Sequence, residues 1–208
     1  MTEGYVRFQS TRPSASCSFL YPADWQIREI VQDESTEFFI AGPRSRLGTY
    51  AVSFTVRVSV ASQETLPEVA TAFLSRYRSA PGFQEMGQAS GTAAGCPAME
   101  VEIGYLMPLP LNSVNAQATP IRERHIFLKQ GDRLYELFYM ALAEHYGVWL
   151  KDFRILVQTF TFLEEPVAAT FHPLITPDPK ALRVKEAEYQ AYRSKSDEQS
   201  KCNRGCTG

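Results

Sequence analysis

Cys96 lies in Ala94-Gly-Cys-Pro-Ala98, a turn able to present a thiol, and His125 and His145 are the histidines that could serve it as a base. Such a pair works only within hydrogen-bond reach. The proline after Cys96 gives that turn a structural reason of its own. His125 falls in an extended run between Arg124 and Ile126, where a satisfied polar side chain is the plainer reading. His145 opens a helical run at a surface position, and His172, beside a proline, makes no site. Cys202-Asn-Arg-Gly-Cys206 has the spacing of half a zinc site, or of a redox pair beside Arg204. No second pair and no histidines complete it, so two free thiols are expected. The reading therefore assigns no catalytic residue, no metal ligand and no cofactor.

Two further stretches carry polar chemistry. Gly42-Pro-Arg-Ser-Arg-Leu-Gly-Thr49 superficially resembles a phosphate loop, but no lysine follows its last glycine, and it joins two strands instead of opening a helix. Arg122 and Arg124 share one strand face, with Lys129 beyond, and could hold an anion; a solvated strand face is the commoner outcome. Met107-Pro-Leu-Pro-Leu-Asn112 is different in kind. Its apolar residues cannot all point into a core, so Met107, Leu109 and Leu111 either form a contact surface or fold back on the sheet edge.

The elements that must position these residues follow from composition and periodicity. Apolar residues are 44% of the 208, charged residues 21%, and the net charge is −2. That is an ordinary globular balance with no basic field for nucleic acid or an anionic membrane. No run is long and apolar enough to enter a bilayer, and the expectation is a cytoplasmic protein. The four cysteines do not read as a disulfide framework.

Short strands are expected at Ser18–Tyr21, Trp25–Val31 and Thr36–Ala41, and a longer one at Tyr50–Ala61, where Val52, Phe54, Val56, Val58 and Val60 alternate with polar residues. Thr65-Leu-Pro-Glu68 matches a capping box and opens a helix whose stripe is Leu66, Val69, Ala70, Phe73, Leu74 and Tyr77. Phe83–Ser90 and Ala98–Met107 read as a strand pair, followed by a polar loop over Pro108–Pro120. Arg122–Lys129, a tight turn and Arg133–Met140 form a hairpin that is apolar on both faces and so needs cover on both. Glu144–Val157 is a second helix, closed by an extended Thr159–Phe162. The fold class is α+β: a mainly antiparallel sheet sandwiched between helices.

In this order the elements resemble the PsbP/Mog1-like superfamily. The resemblance rests on Ser18-Phe-Leu-Tyr-Pro with Asp24-Trp25, the Thr65 helix ending in Pro81-Gly82-Phe83, and Gly95-x-Pro97-Ala98 entering a strand. It rests also on the Tyr135-Glu-Leu strand and on Phe153 with Thr159-Phe-Thr-Phe162. It covers roughly residues 5–165 and implies an antiparallel sheet between helices. It also implies largely non-catalytic work: extrinsic or assembly factors of photosynthetic complexes, a partner of a nuclear-transport GTPase, and adaptor-type bacterial chaperones.

Two parts are thus expected, a PsbP/Mog1-like domain over 1–165 and a C-terminal extension over 166–208. The extension is proline-rich and then carries a broken apolar stripe, the pattern of a segment ordered only by docking. The expected function is a non-catalytic, protein-binding accessory or assembly subunit of a larger complex. Its contacts would be Met107, Leu109, Leu111, Phe171, Leu174, Ile175, Leu182, Tyr189 and Tyr192. The alternative is an adaptor chaperone or a pocket-type binder of an apolar ligand or segment. An enzyme using Cys96 with His125 is the third reading.

Overall fold

The structure is a computed structural model that describes residues 4–45 and 52–163. Its frame is a seven-stranded antiparallel sheet: β3 (Gln26–Val31), β4 (Ser35–Ala41), β5 (Val52–Val60), β6 (Gln84–Ala93), β7 (Cys96–Leu109), β8 (Gln117–Gln130) and β9 (Arg133–Leu142). Their spatial order is β3-β4-β5-β9-β8-β7-β6. A smaller sheet of three strands, ordered β1-β2-β10, is built from β1 (Tyr5–Gln9), β2 (Cys17–Pro22) and β10 (Thr161–Phe162). Among the described residues two α-helices complete the fold, α1 (Leu66–Tyr77) and α2 (Tyr146–Thr159).

The expected capping box is present. The Glu68 carboxylate accepts from the Thr65 backbone N–H at 2.7 Å, and Pro67 occupies the first turn, where no helical donor is needed. The β6–β7 hairpin turns through Ala94 (φ 51°) and Gly95 (φ 77°), the two consecutive left-handed residues of the tight turn that matches strand twist.

Alternation along the strands sorts the large sheet into two faces. On one face Phe38, Phe54, Val56, Leu137 and Tyr139 join Phe153 and Leu156 of α2, and Cys17 and Phe19 of the small sheet, in the main core. Phe54 lies 5.5 Å from Phe153 and 5.6 Å from Tyr139, ring centre to ring centre. On the other face α1 lays Val69, Ala70, Phe73 and Leu74 over Met99, Val101, Ile103 and Phe127. Both faces of the β8–β9 hairpin are therefore covered, as its composition requires. The second face of β5 departs from expectation: Ser53 and Thr55, expected on a polar surface, are buried.

The small sheet was not anticipated, and it shares the cover of the first face with α2. Strand β1 has no period-two alternation of burial; it pairs with β2 alone, and the Tyr5 hydroxyl donates to Asp152 of α2. The polar loop expected over Pro108–Pro120 is also much shorter. Strands β7 and β8 run on through it, with Leu109 opposite Gln117, and only a tip remains.

Candidate functional site

The extra length of β7 and β8 makes a projecting arm. Strand β6 stops opposite Gly104, and β9 stops opposite Ile121, whereas β7 and β8 stay paired to Leu109 and Gln117. Met107 and Leu109 lie on the α1 face of this arm, with Pro110 and Leu111 at its tip. Together with Ile121 of β8 and Met140, Ala141 and Leu142 of β9, they line a pocket of about 310 Å³ open to solvent. All eight lining side chains are apolar. Leu109 is buried, Met107 half-buried, and Leu111 is 61% exposed, with Val114 of the same tip fully exposed. Of the contact residues expected from the sequence, the structure brings these three together. Phe171, Leu174, Ile175, Leu182, Tyr189 and Tyr192 lie outside the described residues, as do His172, Cys202 and Cys206. Ile121, Met140 and Leu142 escaped the sequence reading, because only strand register carries them to Met107 and Leu109.

The arm's own edges are closed. Leu106 donates its N–H outward, away from β8, to the Pro81 carbonyl at 2.7 Å. Pro108, two positions on, and Pro120, directly opposite Leu106 across the ladder, therefore face outward too. Neither has an N–H to offer another strand. The arm can engage a partner by side chains more readily than by strand pairing.

A second constellation crosses the α1 face as a row of alternating charge. The Arg57 guanidinium donates to Glu37 at 2.7 Å and to Glu136 at 2.8 Å. His125 places Nδ1 2.8 Å from Glu136 and Nε2 3.0 Å from Glu123, and the Tyr105 hydroxyl donates to Glu123 at 2.7 Å. With a carboxylate on each ring nitrogen, the imidazolium is the form of His125 that can donate to both. Burial pushes its pKa down, but the hydrogen bonds and charges of Glu123 and Glu136 outweigh that, and the net direction is up. Burial likewise raises Glu136, and His125 and Arg57 overcome it and hold the carboxyl below its ordinary range. Phe73 of α1 caps the imidazole at 4.2 Å between ring centres, and Phe138 stacks on it at 5.0 Å. Glu123, His125 and Glu136 are buried, and each is engaged by its neighbours in the row.

The remaining candidates resolve in the same way. Val101 is directly opposite His125, and Cys96, five positions before Val101, points to the other face; its thiol donates to the Gln130 side chain at 3.4 Å. The thiol and the imidazole do not converge. Arg122 and Arg124 do share a face, but both are held by Glu102, Arg124 also by Glu100 at 3.3 Å, and Arg122 lies over the Tyr146 ring. Lys129 points to the opposite face and donates to the carbonyls of Ser62 and Glu64. No open anion clamp forms among them. Burial pushes the Cys17 thiol up to about 12. Among the described residues no group of His, Cys, Asp or Glu is arranged to hold a metal, and no helix is long and apolar enough to cross a membrane.

Comparison with solved structures now decides the fold. Cyanobacterial PsbP (CyanoP) from Synechocystis sp. PCC 6803 superposes with a TM-score of 0.53 over 77% of this chain and 93% of that one, at 12% identity. The fold is PsbP-like. The Ran-binding protein Mog1p of Saccharomyces cerevisiae is similar at 8% identity, covering 76% of this chain and 95% of that one, with a TM-score of 0.48. LpqN of Mycobacterium tuberculosis, involved in cell envelope biogenesis, is similar at 13% identity, over 76% and 89%, with a TM-score of 0.43. No protein-family profile and no curated protein matches the chain in sequence. At these identities the PsbP-like match speaks for architecture alone.

Proposed function

We propose that this PsbP-like chain acts by binding another protein, as a non-catalytic accessory or assembly subunit in the cytoplasm. The partner seats an apolar anchor in the pocket beside the β7–β8 arm. The observation that supports this reading is the pocket itself: lined by apolar side chains, the exposed Leu111 among them, and open to solvent. Exposed apolar surface of that kind is commonly covered by a partner, and a single buried anchor can dominate such an interface. Phe171, Leu174, Ile175, Leu182, Tyr189 and Tyr192 supply a second contact with the same partner.

The test is a pull-down from source extract at native salt with three baits: the full chain, a chain stopped at Glu165, and the full chain carrying Leu111→Asp. The full chain should retain one protein in stoichiometric amount, Leu111→Asp should lose it, and the shortened chain should hold it more weakly. Equal retention by the full chain and Leu111→Asp would remove the pocket from the reading.

The pocket's volume favours a second reading, since about 310 Å³ also suits a small apolar ligand. Native mass spectrometry of the purified chain separates the two. A bound non-protein mass that Leu111→Asp or Met140→Asp displaces would support the ligand.

A further inference from the structure

The large sheet ends on one side in β6, and this edge is built unlike the others. All of Gln84–Thr92 is exposed. Edges of soluble sheets are usually guarded by charge, proline, bulges or cover, because bare strands pair with other chains. The opposite edge, β3, carries Arg28 and Glu29, and Arg12 forms an ion pair with Glu29. The arm's edges carry Pro108 and Pro120. Strand β6 has a bulge between Glu85 and Gly87, and beyond it Gly87–Ala93 contains no charge, no proline and nothing larger than glutamine.

Register settles which groups this edge offers. Leu106 donates away from β8, so Gly104, Glu102, Glu100 and Ala98 share that direction and pair with Gln84, Gly87, Ala89 and Gly91 of β6. The intervening residues Gln88, Ser90 and Thr92 then direct their N–H and C=O groups outward.

We propose that β6 is a self-association edge, where two copies of this chain add their sheets antiparallel about a two-fold axis through Ser90. The segment suits itself as partner. With Ser90 opposite Ser90, Gln88 faces Thr92 and Thr92 faces Gln88, so every outward-pointing group meets an outward-pointing group. The pairs that alternate with them, Gly87 with Ala93 and Ala89 with Gly91, are small enough not to hold the strands apart. No like charges face each other across the axis, and the contact is isologous and closes at two copies. The pairing is independent of the pocket.

An interface this short belongs to the weak class, so sedimentation equilibrium is run on the full chain up to high micromolar concentrations. Wild type should show a monomer–dimer equilibrium. Ser90→Pro removes the outward donor, takes no N–H from the β6–β7 ladder, and should weaken the dimer at least tenfold. Gln88→Lys with Thr92→Lys places like charges opposite each other and should abolish it; Gln88→Lys with Thr92→Glu places opposite charges there and should restore it. A single monomer mass at every concentration overturns the proposal. So does a dimer that all three variants leave unchanged.

Discussion

The two faces of the large sheet use the same strands and opposite chemistry. Under α2 and the small sheet, Phe54, Leu137, Tyr139 and Phe153 make a continuous aromatic and aliphatic layer. Under and beside α1, the intervening residues of β4, β5, β9 and β8 make the Glu37–Arg57–Glu136–His125–Glu123 row. Apolar burial is non-directional and tolerates conservative changes, whereas a buried charge depends on every neighbour that compensates it. The first face should therefore answer to volume, and the second to protonation and pairing.

The largest effect is expected on the first face. Phe153 is 1% exposed and packs on Phe54 and Tyr139, both at 5.5 Å. Phe153→Ala should cost about 4 kcal/mol of unfolding free energy by urea titration, with no dependence on pH between 6 and 9. On the second face, Glu136→Gln keeps the shape but removes the carboxylate that His125 and Arg57 share. It should cost about 3 kcal/mol, because two cations lose their common partner in a buried site. If Glu136→Gln were neutral, the contrast between the faces would collapse.

Legibility in the sequence differed between the faces in the same way. The alternation of Val52 to Val60 and the stripe of the first helix announced apolar layers, because hydrophobic period is local. The charged row is not local: Glu37, Arg57 and Glu136 stand next to one another only through strand register. Arg57 therefore read as an ordinary surface residue, and His125 as a satisfied side chain whose partners could not be named. Pro108 and Pro120 were misleading for a physical reason. Proline usually ends a strand, but here each stands where its missing N–H faces an edge left free, so β7 and β8 continue through them. Strand β1 left no trace, since its burial pattern follows neither period.

A change of pH reaches the second face without any substitution. The folded pKa of His125 is raised, so the row's contribution is complete below the ordinary histidine value of 6.5 and is lost as pH rises through the folded value. Unfolding free energy should therefore decline from about pH 6.5 toward pH 9. The groups around the imidazole are Glu123, Glu136, Phe73, Phe127 and Phe138, with Tyr77, Tyr105 and Arg57 beyond the carboxylates. Burial and Glu123 both push the Tyr105 hydroxyl upward, so it stays protonated across this window. Glu136 works in the opposite sense: its lowered pKa adds stability above the ordinary carboxyl value of 4.5 that disappears on acidification. His125→Asn should flatten the alkaline slope and leave much of the acid slope. A wild-type curve flat from pH 6 to 9 would mean that the row does not couple to folding.

The smallest effect on stability is expected at the arm, and there the smallness is the point. Leu111 is 61% exposed at the tip of two strands that run past their neighbours, so Leu111→Asp removes little burial and strands no buried group. Its unfolding free energy should stay within about 0.5 kcal/mol of wild type, and its pH profile should superpose on the wild-type curve. Retention of a protein partner, by contrast, should fall below detection. Substitutions under either face act on binding only by unfolding the sheet, so loss of binding with intact stability is a signature that neither face can give. If Leu111→Asp instead destabilised the chain as much as Glu136→Gln does, the tip would be a clasp on the sheet edge, and the pocket part of the core.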